Sequence, residues 1–554
     1  MKKIFLIITA LCAIIFASCS DFLDLESNDI ITGEALSEEK LDELTAPLYN
    51  FVWFSFNDKF NIAIGDAMSY NVEHNADYYG DFTHLSFTSQ SGTLLNAWGS
   101  FYNVIQTANK VIISVNSIEA NQTLKNECVA EARFMRGMAY WYLASVWGNV
   151  IISEDPTVLV NDPIVNTNPK QDVYEFAIRD MEFAAKYLPE TSSAIGRVNR
   201  YSAFGMLSRF YLDYSGYVAS NYGKEPNVGT RDAQYLELAK KAAEKVINSG
   251  QFELLDNYAD IFKIENNNNS ESLFAFQWLA GVTSYGLTNS TSSYLAFTNV
   301  ISPNAWGGWT TATYDMMKEY EPNDTIRRKA TWMGAGDYYA ELNKDAGGFR
   351  IGSGEGEYNS GHSPYNSCLN VKKGVTGNMK DNADINTNNS GLNNSLLRYA
   401  EVLLNYADAV LGNNVSINDA TALAHFNAVR LRAKMPEKTS ITYEDLRRER
   451  RVEFCMEGRY WFDIVARAYY KQQEIINYIN TVQDRGTVQP FLFDAPNDLR
   501  DNPDVEVTKR VVGTADATIF KLPYPESELI QNPKLGDNPV SYQFTEDRIT
   551  DLFN

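Results

Sequence analysis

The segment EARFMRGMAYWYL, residues 131–143, lies inside a helix that the spacing of apolar residues predicts over residues 125–146. Gly137, Ala139 and Ala144 are small residues within this helix. The distance between two packed helices depends on the side chains at their contact, so these residues allow a close approach. The segment is therefore typical of a helix packed inside a larger helical scaffold.

Further helices are predicted on both sides of this segment, in pairs joined by short turns. Asp172 and Glu175 form a capping-box pattern at the start of one helix, and Pro189 ends it. Asp232 begins another helix, and Gly250 follows its end. The remaining predicted helices cover Asn103–Ser117, Asn199–Tyr214, Leu396–Leu411, Asp419–Ala433 and Tyr443–Ala468. Helix pairs at this spacing are similar to tetratricopeptide units and predict a mainly α fold.

Polar stretches rich in glycine and aromatic residues interrupt the helical pattern. They cover residues 66–96, 266–308, 334–394 and 489–518. Because such lengths exceed those of ordinary connections, we expect binding loops or small subdomains with short β-pairs. The sequence predicts one domain over residues 19–554. Its helical scaffold covers about 35–265 and 395–480, with loop-rich insertions at about 266–394 and 485–520.

The first 18 residues have the features of a secretory signal peptide. Two lysines precede the 14 residues Ile4–Ala17, which are apolar with one exception. At ~1.5 Å per residue this run spans about 21 Å, less than the ~30 Å hydrocarbon core, so a permanent membrane span is not expected. The tetrapeptide FASC, ending at Cys19, resembles a bacterial lipobox, in which the cysteine is acylated and becomes the mature N-terminus. The alternative is an ordinary exported protein with an incidental cysteine.

Charge and cysteine content exclude several classes of partner and site. The formal charge is −22, and loss of the two leader lysines makes it −24, which disfavours nucleic acid and anionic lipid as partners. Beyond Cys12 and Cys19, three cysteines remain, at 128, 368 and 455, without a C-x-x-C pair. We therefore expect neither a disulfide framework nor a zinc site, but buried thiols.

Several sequence blocks together resemble the SusD/RagB family of outer-membrane nutrient-binding lipoproteins. The blocks are CSDFLDL at 19–25, the 131–143 segment followed by WGNV at 147–150, LRYAEVLLNYADA at 397–409, RRERRVEF at 447–454 followed by EGRYWFD at 457–463, and LPYPESE at 522–528 followed by NP at 532–533. They occur in the family's order and span nearly the whole mature chain.

The resemblance implies a tetratricopeptide-like helical scaffold that cradles loop-rich insertions. It also implies a lipid-anchored protein of the outer membrane, on the cell surface, that captures an oligosaccharide or a peptide. The cargo would pass to a SusC-like TonB-dependent porter, over whose mouth the lipoprotein sits. No cofactor and no catalytic step are implied.

An arginine-rich run between residues 447 and 451 has the superficial appearance of a nucleic-acid patch. Glu449 lies within the run, Glu453 follows it, and Glu444 lies four residues before Arg448. These carboxylates compensate the arginines, so we expect a helix that makes structural ion pairs.

Aromatic residues in polar loops are the predicted ligand contacts. A neutral sugar needs flat aromatic faces for its C–H side and polar groups for its hydroxyls. Trp306 and Trp309 flank two glycines and follow Asn304, while Tyr285 lies upstream in the same insertion. These four residues are the first predicted cluster.

A second cluster contains Tyr78 and Tyr79, and a third contains Trp332, Tyr338 and Tyr339. For every cluster the competing interpretation is that the ring packs beneath its own loop. In the SusD/RagB family the residues that contact the ligand differ with the cargo. The resemblance therefore assigns no ligand contact to any of these aromatic residues.

Motifs for catalysis or metal binding are not evident in the sequence. There is no H-E-x-x-H, and the segment GHSPY at 361–365 lacks the final glycine of a G-x-S-x-G elbow. A calcium-like start at Asp384 fails because Asn389 stands in place of glycine and Ser395 in place of glutamate. We therefore expect no cofactor and interpret this segment as an Asn-rich polar loop, with calcium binding as the less favoured alternative.

The sequence favours a non-catalytic surface receptor for a glycan. Three alternatives stay open: a peptide receptor of the same kind, a surface-anchored glycoside hydrolase with a carboxylate pair, and an adaptor that binds a protein in its helical groove.

Overall fold

The computed structural model describes residues 38–74, 77–282, 286–296, 310–351, 369–385, 389–494, 497–504 and 506–553. Its long helices are α1 Gly92–Ser117, α2 Gln122–Val146, α3 Lys170–Tyr187, α4 Arg200–Ala219, α5 Ala233–Ile247, α6 Tyr399–Leu411, α7 Ala420–Arg432, α8 Tyr443–Glu453 and α9 Tyr460–Asn477. Short helices cover Leu41–Thr45, Asp77–Thr83, Pro156–Asn161, Thr291–Leu295, Tyr314–Met317, Thr325–Thr331 and Glu526–Gln531. The predicted mainly α fold is confirmed.

The strands are short and form small antiparallel sheets. They are β1 Val72–His74, β2 Ser272–Phe276, β3 Thr310–Ala312, β4 Trp332–Met333, β5 Tyr338–Tyr339, β6 Phe349–Arg350, β7 Asn370–Val371, β8 Asn394–Arg398, β9 Ser416–Ile417, β10 Ile441–Thr442, β11 Thr487–Val488, β12 Phe491–Asp494, β13 Asp498–Asp501 and β14 Thr508–Lys509. One sheet has the order β1-β3-β7-β4. The other strands pair as β2–β8, β5–β6, β9–β10, β11–β14 and β12–β13.

The helices α1 to α7 form a continuous scaffold in which each packs against the next. A Cβ built on Gly137 of α2 would lie 3.0 Å from the carbonyl oxygen of Ala177 in α3, so the small residue permits this close packing, as predicted. Among the described residues, no helix has both the length and the apolar character required to cross a membrane.

The predicted single helix over Tyr443–Ala468 is wrong, because the chain breaks into α8 and α9. Met456 and Gly458 have positive φ angles of 64° and 72°, which end the helical path. The buried carboxylate of Asp66 accepts hydrogen bonds from the amides of Met456 at 2.7 Å and Gly458 at 2.8 Å. A contact to a residue almost 400 positions earlier therefore fixes this break.

Other helix boundaries also differ from the prediction. Helix α1 begins at Gly92 instead of Asn103, and α3 begins at Lys170, after Pro169, instead of at Asp172. The predicted helical start at Leu396 is wrong, because residues 394–398 form β8 and pair with β2. Tertiary pairing overrides the local helical pattern there.

The long insertion after α5 leaves the scaffold and returns to it at one place. Strand β2 carries the chain out and β8 carries it back, and the two strands pair antiparallel. Arg209 of α4 donates to Glu401 of α6 at 2.7 Å and to the carbonyl of Leu396 in β8 at 2.7 Å. Because α5 packs on α6, the scaffold continues across the base of the insertion.

A network of buried charges joins the insertion to α7 and α8. Its centre is Glu453 of α8, whose side chain is fully buried and forms ion pairs with Arg398, Arg432 and Arg327. Arg398 and Arg432 also pair with the buried Glu271, next to β2. Burial alone would raise the pKa of Glu453, but the three arginines lower it to about 2.

Another buried arginine, Arg451, holds the four-stranded sheet against α8. It donates to Asn71, just before β1, at 2.9 Å, and to Asp315, just after β3, at 2.8 Å. It also pairs with Glu319 at 2.9 Å, and the neighbouring arginines help to lower the pKa of Glu319 to about 2 despite its burial. The predicted structural role of the arginine run is confirmed.

The close approach of two backbones at Gly65 generates a first prediction. A Cβ on Gly65 would lie 2.1 Å from Gly458 Cα, so Gly65→Ala should lower the free energy of unfolding by ~3 kcal/mol or more. Gly99→Ala in α1 is the matched control, because nothing lies within 4 Å of its built Cβ. It should raise stability by ~0.5–1 kcal/mol. Urea unfolding measures both, and equal midpoints would contradict the packing.

Acid unfolding tests the buried carboxylates. The pKa values of Glu453, Glu319 and Glu401 are lowered from 4.5 to about 2 in the folded protein. Their contribution to stability is therefore present above pH 4.5 and is lost as the pH falls through about 2. We expect the melting temperature to drop steeply over that interval.

Substitution of the central carboxylate checks the same network at neutral pH. Glu453→Gln should destabilise the protein by ~3 kcal/mol, because it removes one counter-charge that three buried arginines share. Glu444→Gln is the matched control, since its carboxylate is 60 % exposed and its pair with Arg447 contributes little. An equal decrease in melting temperature for both variants would contradict a central role for Glu453.

Candidate functional site

The end of the β1–β3 ladder is where two of the predicted ligand clusters attach to the scaffold. The strands run antiparallel, and His74, the last residue of β1, pairs with Thr310, the first residue of β3. The Tyr78–Tyr79 cluster follows His74 in the chain, and the Trp306–Trp309 cluster immediately precedes Thr310. The two sequence clusters are therefore adjacent, along the chain, to the same end of the β1–β3 ladder.

Buried polar contacts fix this edge. His74 Nδ1 and Thr310 Oγ1 share a hydrogen bond of 2.7 Å, and both residues are fully buried. Burial lowers the pKa of His74 to about 4, so its imidazole is neutral at pH 7. Next to it, Glu73 pairs with His84 and Arg510, which hold the pKa of its carboxyl below its ordinary value although burial acts to raise it.

The predicted ligand residues have different placements. Tyr79 is fully buried, and its ring packs edge-to-face on His74 with 4.8 Å between centroids. This is the placement of a core residue, and the cause is the sheet edge on which the ring lies. Tyr78 lies in the helix Asp77–Thr83, but its side chain lies outside the described part of the structure. Cys19, Tyr285, Asn304, Trp306 and Trp309 also lie outside the described residues.

The described segment between residues 286 and 296 packs against the π-helix Phe56–Phe60, which contains Asp58. Ser290 donates to Asp58 at 2.5 Å, and the ammonium of Lys59 lies 5.0 Å from the ring centroid of Tyr294. Burial raises the pKa of the Asp58 carboxyl. Tyr294 is only 6 % exposed, so its ring belongs to this packed base and not to an open surface.

The third aromatic cluster borders a cavity of about 680 Å³. Trp332 is fully buried and Tyr339 is 4 % exposed, with its hydroxyl donating to the carbonyl of Lys329 at 3.0 Å. Tyr338 is 39 % exposed, and its hydroxyl donates to the carbonyl of Gly347 at 2.8 Å. Among the described members of the three clusters, Tyr338 is thus the one that presents an accessible ring.

Polar side chains complete the wall of this cavity. Lys329, Glu341 and Asn382 line it, and Lys372 pairs with Glu341 at 3.4 Å. Burial lowers the pKa of Lys372. An accessible ring beside amide, carboxylate and ammonium groups can bind a sugar through stacking and hydrogen bonds.

Sequence reasoning did not find the polar residues of this wall. They come from segments around 257–265, 325–344, 372–376 and 381–382, which are distant in sequence. No motif spacing connects them, because the folding of the insertion alone brings them together. The aromatic pair Tyr338–Tyr339 was the available signal.

The remaining sequence predictions concern cysteines and metals. Cys128 and Cys455 are buried free thiols, as predicted, while Cys368 lies outside the described residues. Within the ranges that the structure describes, no group of three or more His, Cys, Asp and Glu side chains is placed to hold a metal ion. Part of the calcium-like segment, 386–388, lies outside those ranges.

Comparison with known proteins gives matches over nearly the whole chain. The model described as "SusD family" matches residues 253–540, and the model described as "Starch-binding associating with outer membrane" matches residues 21–212. A SusD-like protein of Bacteroides ovatus is 36 % identical, over 98 % of both chains.

Solved structures agree with this assignment. A crystal structure with xylogluco-oligosaccharide has 36 % sequence identity and a TM-score of 0.82, over 92 % of this chain and 100 % of the other. Surface glycan-binding protein A from Bacteroides fluxus has a TM-score of 0.67 at 19 % identity, over 89 % of this chain and 97 % of its own, which shows a shared fold. The chain described above belongs to the SusD family.

Proposed function

We propose that this protein is a non-catalytic receptor that binds a neutral oligosaccharide at the outer membrane. In this proposal Cys19 carries the lipid anchor, the protein is on the cell surface, and its cargo passes to a SusC-like TonB-dependent porter. A xylogluco-oligosaccharide is the first ligand to test, since a relative of 36 % identity has been crystallised with one. That complex is the observation that carries the proposal.

The sheet edge at His74 and Thr310 supports the location of the binding site. Tyr78 and the segment 306–309 are adjacent in sequence to these two residues. Arg451 of α8 holds the chain next to β1 and β3 in place, because it donates hydrogen bonds to Asn71 and Asp315. A rigid support lowers the entropy lost when loops close on a flexible oligosaccharide.

A peptide receptor is the principal alternative, because aromatic loops also suit peptides. A surface glycoside hydrolase is the enzymatic alternative and needs two carboxylates flanking the scissile bond. The buried carboxylates Glu453, Glu401 and Glu319 are held in ion pairs with arginines. Those three carboxylates therefore have a structural role and are not available as an acid–base pair.

Calorimetry with a xyloglucan heptasaccharide tests the receptor. The chain from Ser20 should bind it, and Trp306→Ala combined with Trp309→Ala should weaken binding about 30-fold, as loss of ~2 kcal/mol of stacking implies. Trp306→Phe combined with Trp309→Phe is the matched control and should retain most of the affinity, because it keeps two flat faces.

Other outcomes of the same titration are informative. If the tryptophan-to-alanine variant still binds and Tyr338→Ala does not, the binding site is in the 680 Å³ cavity instead. Release of new reducing ends during incubation would contradict the non-catalytic proposal. Binding of peptides with no response to any oligosaccharide would favour the peptide receptor.

Membrane fractionation tests the anchor. Labelling of cells with radioactive palmitate should mark the wild-type protein and leave Cys19→Ser unlabelled. The variant should also leave the outer-membrane fraction, because stable anchoring needs more than one acyl chain and the variant has none. An unlabelled wild-type protein would support the ordinary exported form.

A further inference from the structure

A second cavity lies among the scaffold helices, away from the insertion. Its volume is about 290 Å³, and its wall comes from the start of α3, the end of α4, the middle of α9, the turn after α2 and residues 517–521. The polar side chains in this wall include Lys170, Lys521, Asn149 and Gln472. Tyr217, Tyr222 and Tyr469 supply aromatic surface.

Two lysines converge in this wall. A Cβ built on Gly148 would lie 3.6 Å from Lys170 Cδ and 3.9 Å from Lys521 Cδ, so both stems pass within 4 Å of one point. Neither lysine forms an ion pair with any residue that the structure describes. The charge of Lys521 acts against the ammonium form of Lys170, and an anion between the two side chains would relieve that repulsion.

The surroundings of Lys170 strengthen the case for an anion. Its ammonium lies 4.4 Å from the ring centroid of Tyr469, 5.6 Å from that of Tyr217 and 5.7 Å from that of Tyr174. Lys170 is also the first residue of α3, where the helix dipole disfavours a cation and favours an anion. Burial, followed by the repulsion of Lys521, lowers the pKa of Lys170 to about 7.

The mouth of the cavity has a strained backbone. Asn221 and Tyr222 have φ angles of 50° and 54°, a left-handed conformation that is unfavourable for a bulky residue. This conformation places the partly exposed Tyr222 in the cavity wall, edge-on to Tyr217 with 6.1 Å between ring centroids. Such strain is typically retained where function requires the side chain.

We propose that this cavity binds a carboxylate-bearing ligand about the size of one sugar ring. The carboxylate would lie between the ammonium groups of Lys170 and Lys521, and the body of the ligand would contact Tyr222 and Tyr469. The two lysines make the pocket locally basic, although the chain as a whole carries a net negative charge. The carboxylate can belong to a free sugar acid or to an acidic side chain of another protein.

Calorimetry with sodium D-glucuronate, with D-glucose at equal ionic strength as the reference, tests this site in the chain from Ser20. Glucuronate should bind saturably and glucose should not. Lys170→Met and Lys521→Met should each weaken glucuronate binding at least about tenfold, since each removes one charge-assisted contact. Tyr222→Ala should weaken it less, and Lys224→Met, an exposed neighbour outside the cavity, should leave it unchanged.

Proton uptake on ligand binding is a second readout. It would not be observed if Lys170 had only a structural role. At pH 8 most of the Lys170 amine is neutral, and a bound carboxylate favours its ammonium form. The groups that face it are Lys521 and the rings of Tyr174, Tyr217 and Tyr469. The binding heat should therefore vary with the ionisation heat of the buffer at pH 8, and this variation should vanish in Lys170→Met.

Two comparisons identify the source of the carboxylate and define the results that would contradict the proposal. Tighter binding of glucuronate than of N-acetylaspartate amide would identify a sugar acid, and the reverse order would identify a protein side chain. Absence of saturable binding of both up to about 50 mM, or equal binding by both lysine variants and wild type, would overturn the proposal. Heptasaccharide binding by the lysine variants should stay unchanged, so failure here is distinct from failure of the proposed oligosaccharide site.

Discussion

The buried carboxylate of Glu453 is the contact on which the remaining architecture depends. It pairs with Arg327 from the insertion, Arg398 from the returning strand β8 and Arg432 from α7. Each of these charges would be costly inside the protein without a counter-charge. Because their partners come from different segments, the network forms only when the insertion is seated on the scaffold. Its effect is to fix one arrangement of segments that are distant in sequence.

The same helix fixes the base of the proposed oligosaccharide site. Glu453 and Arg451 lie two residues apart on α8, and Arg451 reaches the chain before β1 and after β3. The aromatic clusters that follow β1 and precede β3 thus share a support built from buried ion pairs. The charge-rich sequence that resembles a polyanion-binding patch is in fact the internal frame of the protein.

Charge has two separate uses in this protein. Most of the buried arginines described here are neutralised by carboxylates, so they create no attraction for an outside ligand. Lys170 and Lys521 differ, because they converge beside tyrosine rings and form no ion pair within the described chain. In the proposed carboxylate site, short-range contacts would outweigh the screened field of the distant acidic surface.

The sequence alone determined the mainly α fold, most helices and the structural role of the arginine run. Apolar periodicity and caps such as Asp232 are local signals, and α5 begins directly after that residue. The arginines could be interpreted because their compensating glutamates lie on the same helix. The family could be identified because the sequence blocks occur along the chain in the order typical of that family.

Tertiary structure decided the features that depend on distant partners. Asp66 breaks the predicted helix at Met456 and Gly458, and pairing with β2 turns residues 394–398 into a strand. Tyr79 and Tyr338 both looked like loop aromatics, yet Tyr79 is buried against His74 of β1, whereas Tyr338 lies exposed on β5 of a separate two-stranded sheet. The convergence of Lys170 and Lys521 likewise has no signal in the sequence. Helical periodicity is a property of neighbours along the chain, whereas burial and ion pairing are properties of neighbours in space.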